Sequence, residues 1–428
     1  MSRSRPASRG SLVLVLAALT MLGPFTIDTI FPAFQAMAAD LRVEKLAMQQ
    51  TVSVYMVAFA ITSLFHGSVS DALGRKPVIM TGCVLYALAS VLCAVSTSMA
   101  MLLAARALQG LVAGAGMIVA RTAIRDLYDG SEAQRFMSHV SLVFAIAPAV
   151  APVVGGWLLG WGSWQTIFWV LAAYGALLVL LAGVFLPETH PAERRVPFRP
   201  GPLLQSIART ARHTGVQRLS GAITCNFAAL FLYIASAPAI INDHLHLGAQ
   251  DFGVLFIPLV ACMMVGSFLA GRLAGRTRAP LIVLTGLGVS LLGAAFGIAY
   301  HLAGGVAGLP WTIVPAAAAG FGVSLALPIL TIELLDLRPD ARGSVSSYQA
   351  FLTTLVNAAV AGVVSPLVSG SLLVLGIVAA GFTAAALALW AWEFRVTGRP
   401  AQGDRSVVVD PLPGPAFPRR REDDSRPG

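Results

Sequence analysis

Long runs of apolar residues alternate with short polar segments along this chain of 428 residues. Twelve runs are long enough to cross about 30 Å of hydrocarbon as helices. The predicted spans are 11–34, 48–70, 77–97, 100–122, 138–160, 164–186, 217–241, 252–274, 280–300, 310–334, 345–369 and 371–394. Six spans precede the longest inner polar segment, 187–216, and six follow it. The pattern predicts an all-α polytopic membrane protein with twelve transmembrane helices in two six-helix bundles, 11–186 and 217–394.

The positions of the cations predict the orientation of these helices. Of the 29 Lys and Arg residues, 26 lie in one alternating set of polar segments, which includes both termini. The opposite set holds only Arg42 and Lys45, and Arg106 falls inside a span. Because cytoplasmic loops retain cations, we expect residues 1–10, the linker 187–216 and a disordered tail, 395–428, to be cytoplasmic.

The composition limits the class of protein and its partners. Apolar residues make up 57% of the chain and charged residues only 11%, which excludes an ordinary soluble domain. The formal charge of +9 collects in the predicted cytoplasmic loops. We therefore expect the lipid bilayer to be a partner. We expect no nucleic acid, and a monomer.

The linker between the bundles is rich in Pro and Arg, which is typical of a connecting segment. In its second part, Leu203, Leu204 and Ile207 lie on a different helical face from Arg209 and Arg212. Either a short helix lies on the membrane surface here, or the segment is a solvated, charged connection.

A short loop between the second and third spans combines turn residues with charges. It contains Gly67, Asp71, Gly74, Arg75 and Lys76. Gly74 permits a tight turn, and the two cations favour the cytoplasmic side. A weaker repeat, 271–280, follows the eighth span, with Gly275 in the place of Asp71. The spacing favours a functional loop over the alternative that any short cytoplasmic loop collects cations.

Two charged residues lie well inside predicted spans, away from the span ends. Asp28 is the carboxylate in the first span, and Arg106 is the cation in the fourth. Such residues are costly in a membrane and commonly mark a transport path. The two charges are expected at similar depth, so Asp28 is the candidate proton carrier and Arg106 its partner. The alternative is an acid near the outer end of a helix that stops at Pro32.

The fifth span contains Pro148, Pro152, Gly155 and Gly156. These residues predict a bent, closely packed helix that serves either as a hinge or sealing contact or simply as a structural kink. Polar and aromatic side chains of other spans are candidates to line a substrate cavity, although each is equally explained by helix packing. The candidates are Phe25, Tyr55, Gln109, Asn226, Tyr233 and Asn357.

Several of these segments together resemble the major facilitator superfamily. They are the loop 67–77, the fourth-span segment 106–110 and the fifth-span segment 147–156. Three further segments, 23–32, 125–128 and 235–238, are similar to the bicyclomycin-resistance branch of drug:proton antiporters. The resemblance implies that Asp71 and Arg75 latch the two halves in the outward-facing state. It also implies that Arg106 and Asp28 take part in proton coupling.

The resulting hypothesis is proton-coupled efflux of small amphipathic drugs or toxic compounds across the cytoplasmic membrane by alternating access. The alternatives are proton-coupled export or uptake of a single metabolite on the same scaffold, and a membrane sensor without transport. No nucleotide-binding motif, metal-ligand cluster or activated nucleophile is visible in the sequence. We therefore expect no cofactor, a proton gradient as the energy source, and no enzyme activity.

Overall fold

The computed structural model describes residues 9–128 and 130–397. Both the segment 1–8 and the tail from 398 onward, for which disorder was predicted, lie outside this range. Within the described residues, the first half of the chain forms six long helices. They are α1 (Arg9–Asp28), α2 (Gln49–Leu73), α3 (Arg75–Ala94), α4 (Met99–Leu127), α5 (Gly130–Trp161) and α6 (Gln165–Phe185).

The second half of the described chain also forms six long helices. They are α7 (Thr214–Ala235), α8 (Gly253–Leu273), α9 (Ala279–Leu302), α10 (Val314–Asp336), α11 (Arg342–Ala359) and α12 (Leu372–Thr397). By length and composition, eleven of the helices could cross a membrane, and α5 contains a shorter apolar stretch, Ile146–Trp161. The predicted fold class and the alternation of spans are therefore confirmed.

The two halves repeat one packing plan. In the first half α4 packs against α2 and α3, and in the second half α10 packs against α8 and α9. Likewise, α1 packs against α5 as α7 packs against α11. The halves meet where α2 contacts α11 and where α5 contacts α8. We call the end of the bundle that carries the linker the linker side, and the other end the opposite side.

The first span differs from its prediction because helix α1 ends at Asp28. The chain continues through a 3₁₀ turn, Phe31–Ala33, into a short helix, Phe34–Asp40. Pro32 lies in this 3₁₀ turn and lacks the N–H that a continuing helix needs. The placement of Asp28 well inside a continuous helix is therefore wrong: the residue lies at a break in the span.

Two irregular segments interrupt the second half on the opposite side. After α7, residues Ala239–His244 form a π-helical turn, and after α11 residues Val360–Val364 form another. The chain then continues as a helical turn, Ser365–Val368. Because π-turns displace the regular i→i−4 pairing, they leave backbone carbonyls accessible to side chains of other helices.

The second part of the linker is a helix, Pro200–Ala211. Ile207 and Thr210 on this helix are buried, and the Ser206 hydroxyl lies 2.7 Å from the hydroxyl of Ser344 on α11. The helical interpretation is confirmed. The helix packs on the linker-side end of the second half, and its position relative to a membrane stays a prediction.

Candidate functional site

Arg106 lies at the centre of a buried hydrogen-bond network in the first half. Its side chain is fully buried. The guanidinium donates through Nε to the Thr51 carbonyl at 3.1 Å and through Nη1 to the Thr26 carbonyl at 3.4 Å. Nη1 also donates to Gln109 Oε1 at 2.8 Å. The buried cation therefore joins α1, α2 and α4 through neutral oxygen atoms.

The network continues into α3. Gln109 Nε2 donates to the Ser90 hydroxyl at 2.7 Å, and the Thr26 hydroxyl lies 2.5 Å from the Tyr86 hydroxyl. The Arg106 guanidinium also stacks over the Tyr55 ring, 4.7 Å from its centroid. Gln109 and Tyr55, both predicted to line a cavity, are thus brought together with Arg106.

Asp28 lies close to this network without being part of it. Only 5% of the residue is exposed, and among the described residues its carboxylate forms neither a hydrogen bond nor an ion pair. Tyr55 lies within electrostatic range of both Asp28 and Arg106. The structure therefore places both charges in the interior of the first half, with Tyr55 near each, but does not pair them directly.

Some polar atoms in this region are buried without a partner. Arg106 Nη2 and the Tyr55 hydroxyl are examples. A buried donor without an acceptor costs about 1–3 kcal/mol. A guanidinium nitrogen and a phenol held in this state, near an unpaired carboxyl group, form a site that a proton, water or a polar ligand would stabilise.

The loop between α2 and α3 carries a second cluster of charges, on the linker side. Arg75 is 4% exposed and contacts Asp71 at 2.6 Å and Asp126 at 3.0 Å. Its backbone N–H donates to Glu188 of the linker at 3.0 Å. Gly74, with φ at 101°, makes the turn between the helices, where a side chain would also collide with Glu188.

Lys76 and the backbone of Asp71 contact other residues of the first half and the linker. The Lys76 ammonium donates to the Gly183 carbonyl at 2.8 Å, and the Asp71 carbonyl accepts from the Val196 N–H. Gly67 lies one turn before Asp71 on α2 with open space around it. The described partners of Arg75 and Asp71 belong to the first half and the linker, so this cluster does not join the two halves in this conformation.

The fifth-span motif lies where the two halves meet on the opposite side. A Cβ atom on Gly156 would come within 2.2 Å of the Ala249 carbonyl in the second half. One on Gly155 would come within 2.0 Å of the Thr29 carbonyl at the end of α1. Pro148 and Pro152 lie inside the same helix. The motif is thus at a close contact between backbones.

Side chains at the start of α2 donate to backbone carbonyls of the second half. Gln49 donates to Ala235 at 2.7 Å, and Gln50 to Gly362 at 2.8 Å. The Ser53 hydroxyl donates to Ala358 at 2.9 Å. The accepting carbonyls lie at the end of α7 and around the π-turn after α11. These hydrogen bonds close the halves against each other on the opposite side, and an exposed Lys45–Asp243 ion pair at 3.1 Å adds to them.

The remaining candidate cavity residues are separated in the structure. The Phe25 ring packs against Tyr174 of α6, with centroids 5.8 Å apart. Asn226 and Tyr233 are buried and seven residues apart, so they share one face of α7, and atoms of both lack partners. Asn357 is buried on α11 with its Oδ1 atom unpartnered.

The sequence interpretation missed the polar start of α2 and the acids that accept from Arg75. Gln49, Gln50 and Ser53 were counted only as the end of an apolar span. Their spacing, i, i+1 and i+4, places them on neighbouring faces of a helix and was an available signal. The contacts of Arg75 with Asp126 and Glu188 join distant parts of the chain, and no local pattern predicts them.

Two helical halves that repeat one packing plan, with a cation and an acid buried in the first half, are typical of a secondary transporter. The chain belongs to the Major Facilitator Superfamily, since the model of that family matches residues 16–361. It is 35% identical over 271 residues to the uncharacterized MFS-type transporter YdgK of Bacillus subtilis (strain 168), covering 62% of this chain and 67% of that protein.

Two further relatives are named as drug-resistance proteins. The bicyclomycin resistance protein homolog of Haemophilus influenzae is 29% identical, covering 65% of this chain and 70% of the relative. Multidrug resistance protein D of Escherichia coli (strain K12) is 28% identical, covering 78% of this chain and 83% of the relative. The resemblance to this family that the motifs indicated is therefore confirmed.

Solved structures share the fold. The human organic anion transporter MFSD10 (TETRAN) aligns over 91% of this chain and all of that one, with a TM-score of 0.65 and 18% identity. An inward-facing, unoccupied bacterial homolog of the human lysosomal transporter Spinster aligns over 91% of this chain and 98% of that one, with a TM-score of 0.67 and 16% identity. The chain is thus a multi-pass membrane transporter with the major facilitator fold.

Proposed function

We propose that this protein exports small amphipathic drugs or toxic compounds across the cytoplasmic membrane in exchange for protons. The names of its relatives, which include bicyclomycin resistance and multidrug resistance, support the substrate class. The excess of cations in the linker and neighbouring loops supports a cytoplasmic linker side.

The observation that carries the proposal is the buried, unpaired carboxyl group of Asp28. A charge held out of water without a partner is costly, and a proton or a cation relieves that cost. Asp28 also lies at the carboxyl end of α1, where the helix dipole opposes a negative charge. In the proposed exchange, Asp28 takes up a proton from the opposite side and releases it toward the linker side.

Arg106 is the proposed partner of that step. Its network of hydrogen bonds to α1 and α2 fixes the guanidinium, and one of its nitrogen atoms remains free to bind a carboxylate. An approach of Asp28 to Arg106 would favour the charged carboxylate, and a substrate between them would change that balance. Substrate and proton would thereby alternate at one place.

Alternating access requires that the contacts on the opposite side break. The side-chain hydrogen bonds from α2 to carbonyls of the second half are individually weak, on the order of 1 kcal/mol each. In the proposed cycle these hydrogen bonds are present in the conformation described here and break when the opposite side opens. The Asp71–Arg75 cluster would gain contacts to the second half when the linker side closes.

The test measures uptake of bicyclomycin and of tetraphenylphosphonium into inside-out vesicles under an imposed proton gradient. One proton that moves across 100 mV supplies about 2.3 kcal/mol, enough for roughly a fortyfold gradient of a neutral solute. We expect uphill uptake by the wild type and only downhill movement by Asp28→Asn.

The matched control is Asp40→Asn. This acid is exposed and accepts hydrogen bonds from Trp164 and Gln165. We expect it to retain uphill uptake. Uphill uptake by Asp28→Asn would refute the role of Asp28. Proton-driven movement of the probes only out of inside-out vesicles would indicate an importer.

A further inference from the structure

A line of uncharged polar side chains runs between α7 and α11 in the second half. We call it the polar seam and define it as Ser220 and Thr224 on α7 with Gln349, Thr353 and Asn357 on α11. The members on α7 are four residues apart, and those on α11 are spaced by four, so each set lies on one helical face. The seam therefore extends over about one turn of α7 and about two turns of α11.

The middle of the polar seam is satisfied by its own hydrogen bonds. The hydroxyls of Thr224 and Thr353 lie 3.0 Å apart. Gln349 Nε2 donates to Thr353 at 2.7 Å and lies 3.4 Å from Thr224 Oγ1. The amide nitrogen of Gln349 is thereby occupied, and its orientation is fixed.

The ends of the polar seam are not satisfied. The Gln349 Oε1, Ser220 Oγ and Asn357 Oδ1 atoms are buried and have no hydrogen-bond partner. Ser220 is completely buried, and Asn357 is 2% exposed. The two amide oxygens are acceptors, and the Ser220 hydroxyl can both accept and donate. Buried acceptors without donors are rare in folded proteins. What they lack is a ligand that donates hydrogen bonds.

The position of the seam suits a ligand that enters between the two halves. Helix α11 packs against α7 on one side and against α2 of the first half on another. Ala358, next to Asn357, accepts a hydrogen bond from Ser53 on α2. Gln349 and Thr353 remain partly exposed, so the seam is accessible from part of its length.

The seam has no carboxylate of its own. The partly buried Glu333 and the buried Glu393 lie near the linker-side ends of α10 and α12 and contact Trp390 and Arg218, respectively. Neutral acceptors alone compensate a desolvated cation poorly, whereas they satisfy a hydroxyl or an amide N–H.

We infer that the polar seam is a substrate subsite for uncharged hydrogen-bond donors, that is, for hydroxyl or amide N–H groups. This inference rests on the proposed export function and adds which class of substrate the transporter recognises. The residues that determine the specificity are Ser220, Gln349 and Asn357, and Thr224 and Thr353 position Gln349.

The experiment compares two probes of opposite chemistry. Bicyclomycin is neutral and carries several hydroxyl and amide groups, whereas tetraphenylphosphonium is a cation without any hydrogen-bond donor. Binding of each probe to purified, detergent-solubilised protein is measured by titration, and vesicle transport of each is measured in parallel. We expect Gln349→Leu and Ser220→Ala each to bind bicyclomycin at least about tenfold more weakly than wild type, with tetraphenylphosphonium transport unchanged.

The matched control is Ser290→Ala. The Ser290 hydroxyl on α9 is also buried and unpartnered, but it faces Gly322 of α10. We expect this variant to bind both probes as wild type does. Retained transport of tetraphenylphosphonium shows that a seam variant is folded.

Three results would overturn the inference. In the first, both seam variants bind bicyclomycin as tightly as wild type. In the second, the variants lose binding of bicyclomycin and transport of tetraphenylphosphonium in equal measure. In the third, the wild type exports tetraphenylphosphonium against protons but does not bind bicyclomycin, and the export function then stands without the subsite. A wild-type protein that exports neither probe would refute the proposed function, and the subsite with it.

Discussion

The two halves of this transporter share one packing plan but differ in the chemistry of corresponding turns. In the first half, the turn from α2 to α3 contains Asp71 and Arg75, and Arg75 is held by Asp71 and by acids of α4 and the linker. In the second half, the turn from α8 to α9 has Gly275 in the place of Asp71 and Ala279 in the place of Arg75. A duplicated fold has thus kept this pairing of an acid with a cation in one copy only.

The interiors differ in the same sense. The first half buries Arg106 and Asp28 near its centre, and the second half has the uncharged polar seam at the α7–α11 contact. A buried charge responds to a proton, whereas hydroxyl and amide groups respond to the hydrogen-bond donors of a ligand. We therefore expect proton coupling to depend on the first half and recognition of neutral substrates on the second.

The largest effect is expected from Arg106→Ala. The change removes the buried hydrogen bonds to Thr26, Thr51 and Gln109 that join α1, α2 and α4. Hydrogen bonds to charged groups are worth about 1.5–3 kcal/mol each, so a loss of about 3 kcal/mol or more is expected. Transport in vesicles should be abolished and the thermal midpoint of unfolding in detergent lowered.

A cation of the second half provides the contrast to Arg106. Arg272, at the end of α8, is exposed and lies over the Phe268 ring. We expect Arg272→Ala to leave both transport and the thermal midpoint nearly unchanged. Equal losses in the two variants would contradict the proposed division between the halves.

A smaller effect is expected at the corresponding turns. Arg75→Ala removes contacts with Asp71 and Asp126 at 2.6 Å and 3.0 Å from a residue that is 4% exposed. We expect about a tenfold loss of transport rate, which corresponds to about 1.4 kcal/mol. The matched change, Arg276→Ala in the second turn, should have no measurable effect, since that turn lacks the partners of Arg75. Similar losses at both turns would refute this asymmetry.

Much of the fold was predictable from the sequence, because hydropathy and the distribution of cations depend on local composition. The succession of apolar spans was predicted in this way, whereas a helix in the linker was only one of two open alternatives. The break of α1 at Asp28 was considered only as an alternative, because Pro32 is compatible with both a kink and a stop.

The candidate site was predictable in part. Arg106 and the fifth-span motif stand out because charges and prolines are unusual inside spans. The hydrogen bonds that Gln49 and Ser53 donate could not be predicted, since their acceptors are carbonyls near a distant π-turn. The distance between Asp28 and Arg106 likewise depends on tertiary packing and has no local signal.

A change of a few-fold is expected at the α5–α8 contact. A Cβ atom on Gly156 would lie 2.2 Å from the Ala249 carbonyl, so Gly156→Ala forces the two halves apart on the opposite side. We expect labelling of a Gln49→Cys variant by a membrane-impermeant maleimide to be accelerated severalfold in the Gly156→Ala background. The control is Gly183→Ala, which meets only the Met80 side chain at 3.6 Å. Unchanged labelling would show that this contact does not close the opposite side.

The smallest effect is expected from the ion pair that joins the halves on the opposite side. Lys45 and Asp243 are 3.1 Å apart, but their side chains are 56% and 50% exposed. Exposed ion pairs contribute about 0–1 kcal/mol and are screened by salt. Lys45→Ala should therefore change maleimide labelling of Gln49→Cys by less than about threefold, and only at low salt. A larger, salt-independent effect would mean that this pair, rather than the hydrogen bonds from α2, holds the halves together.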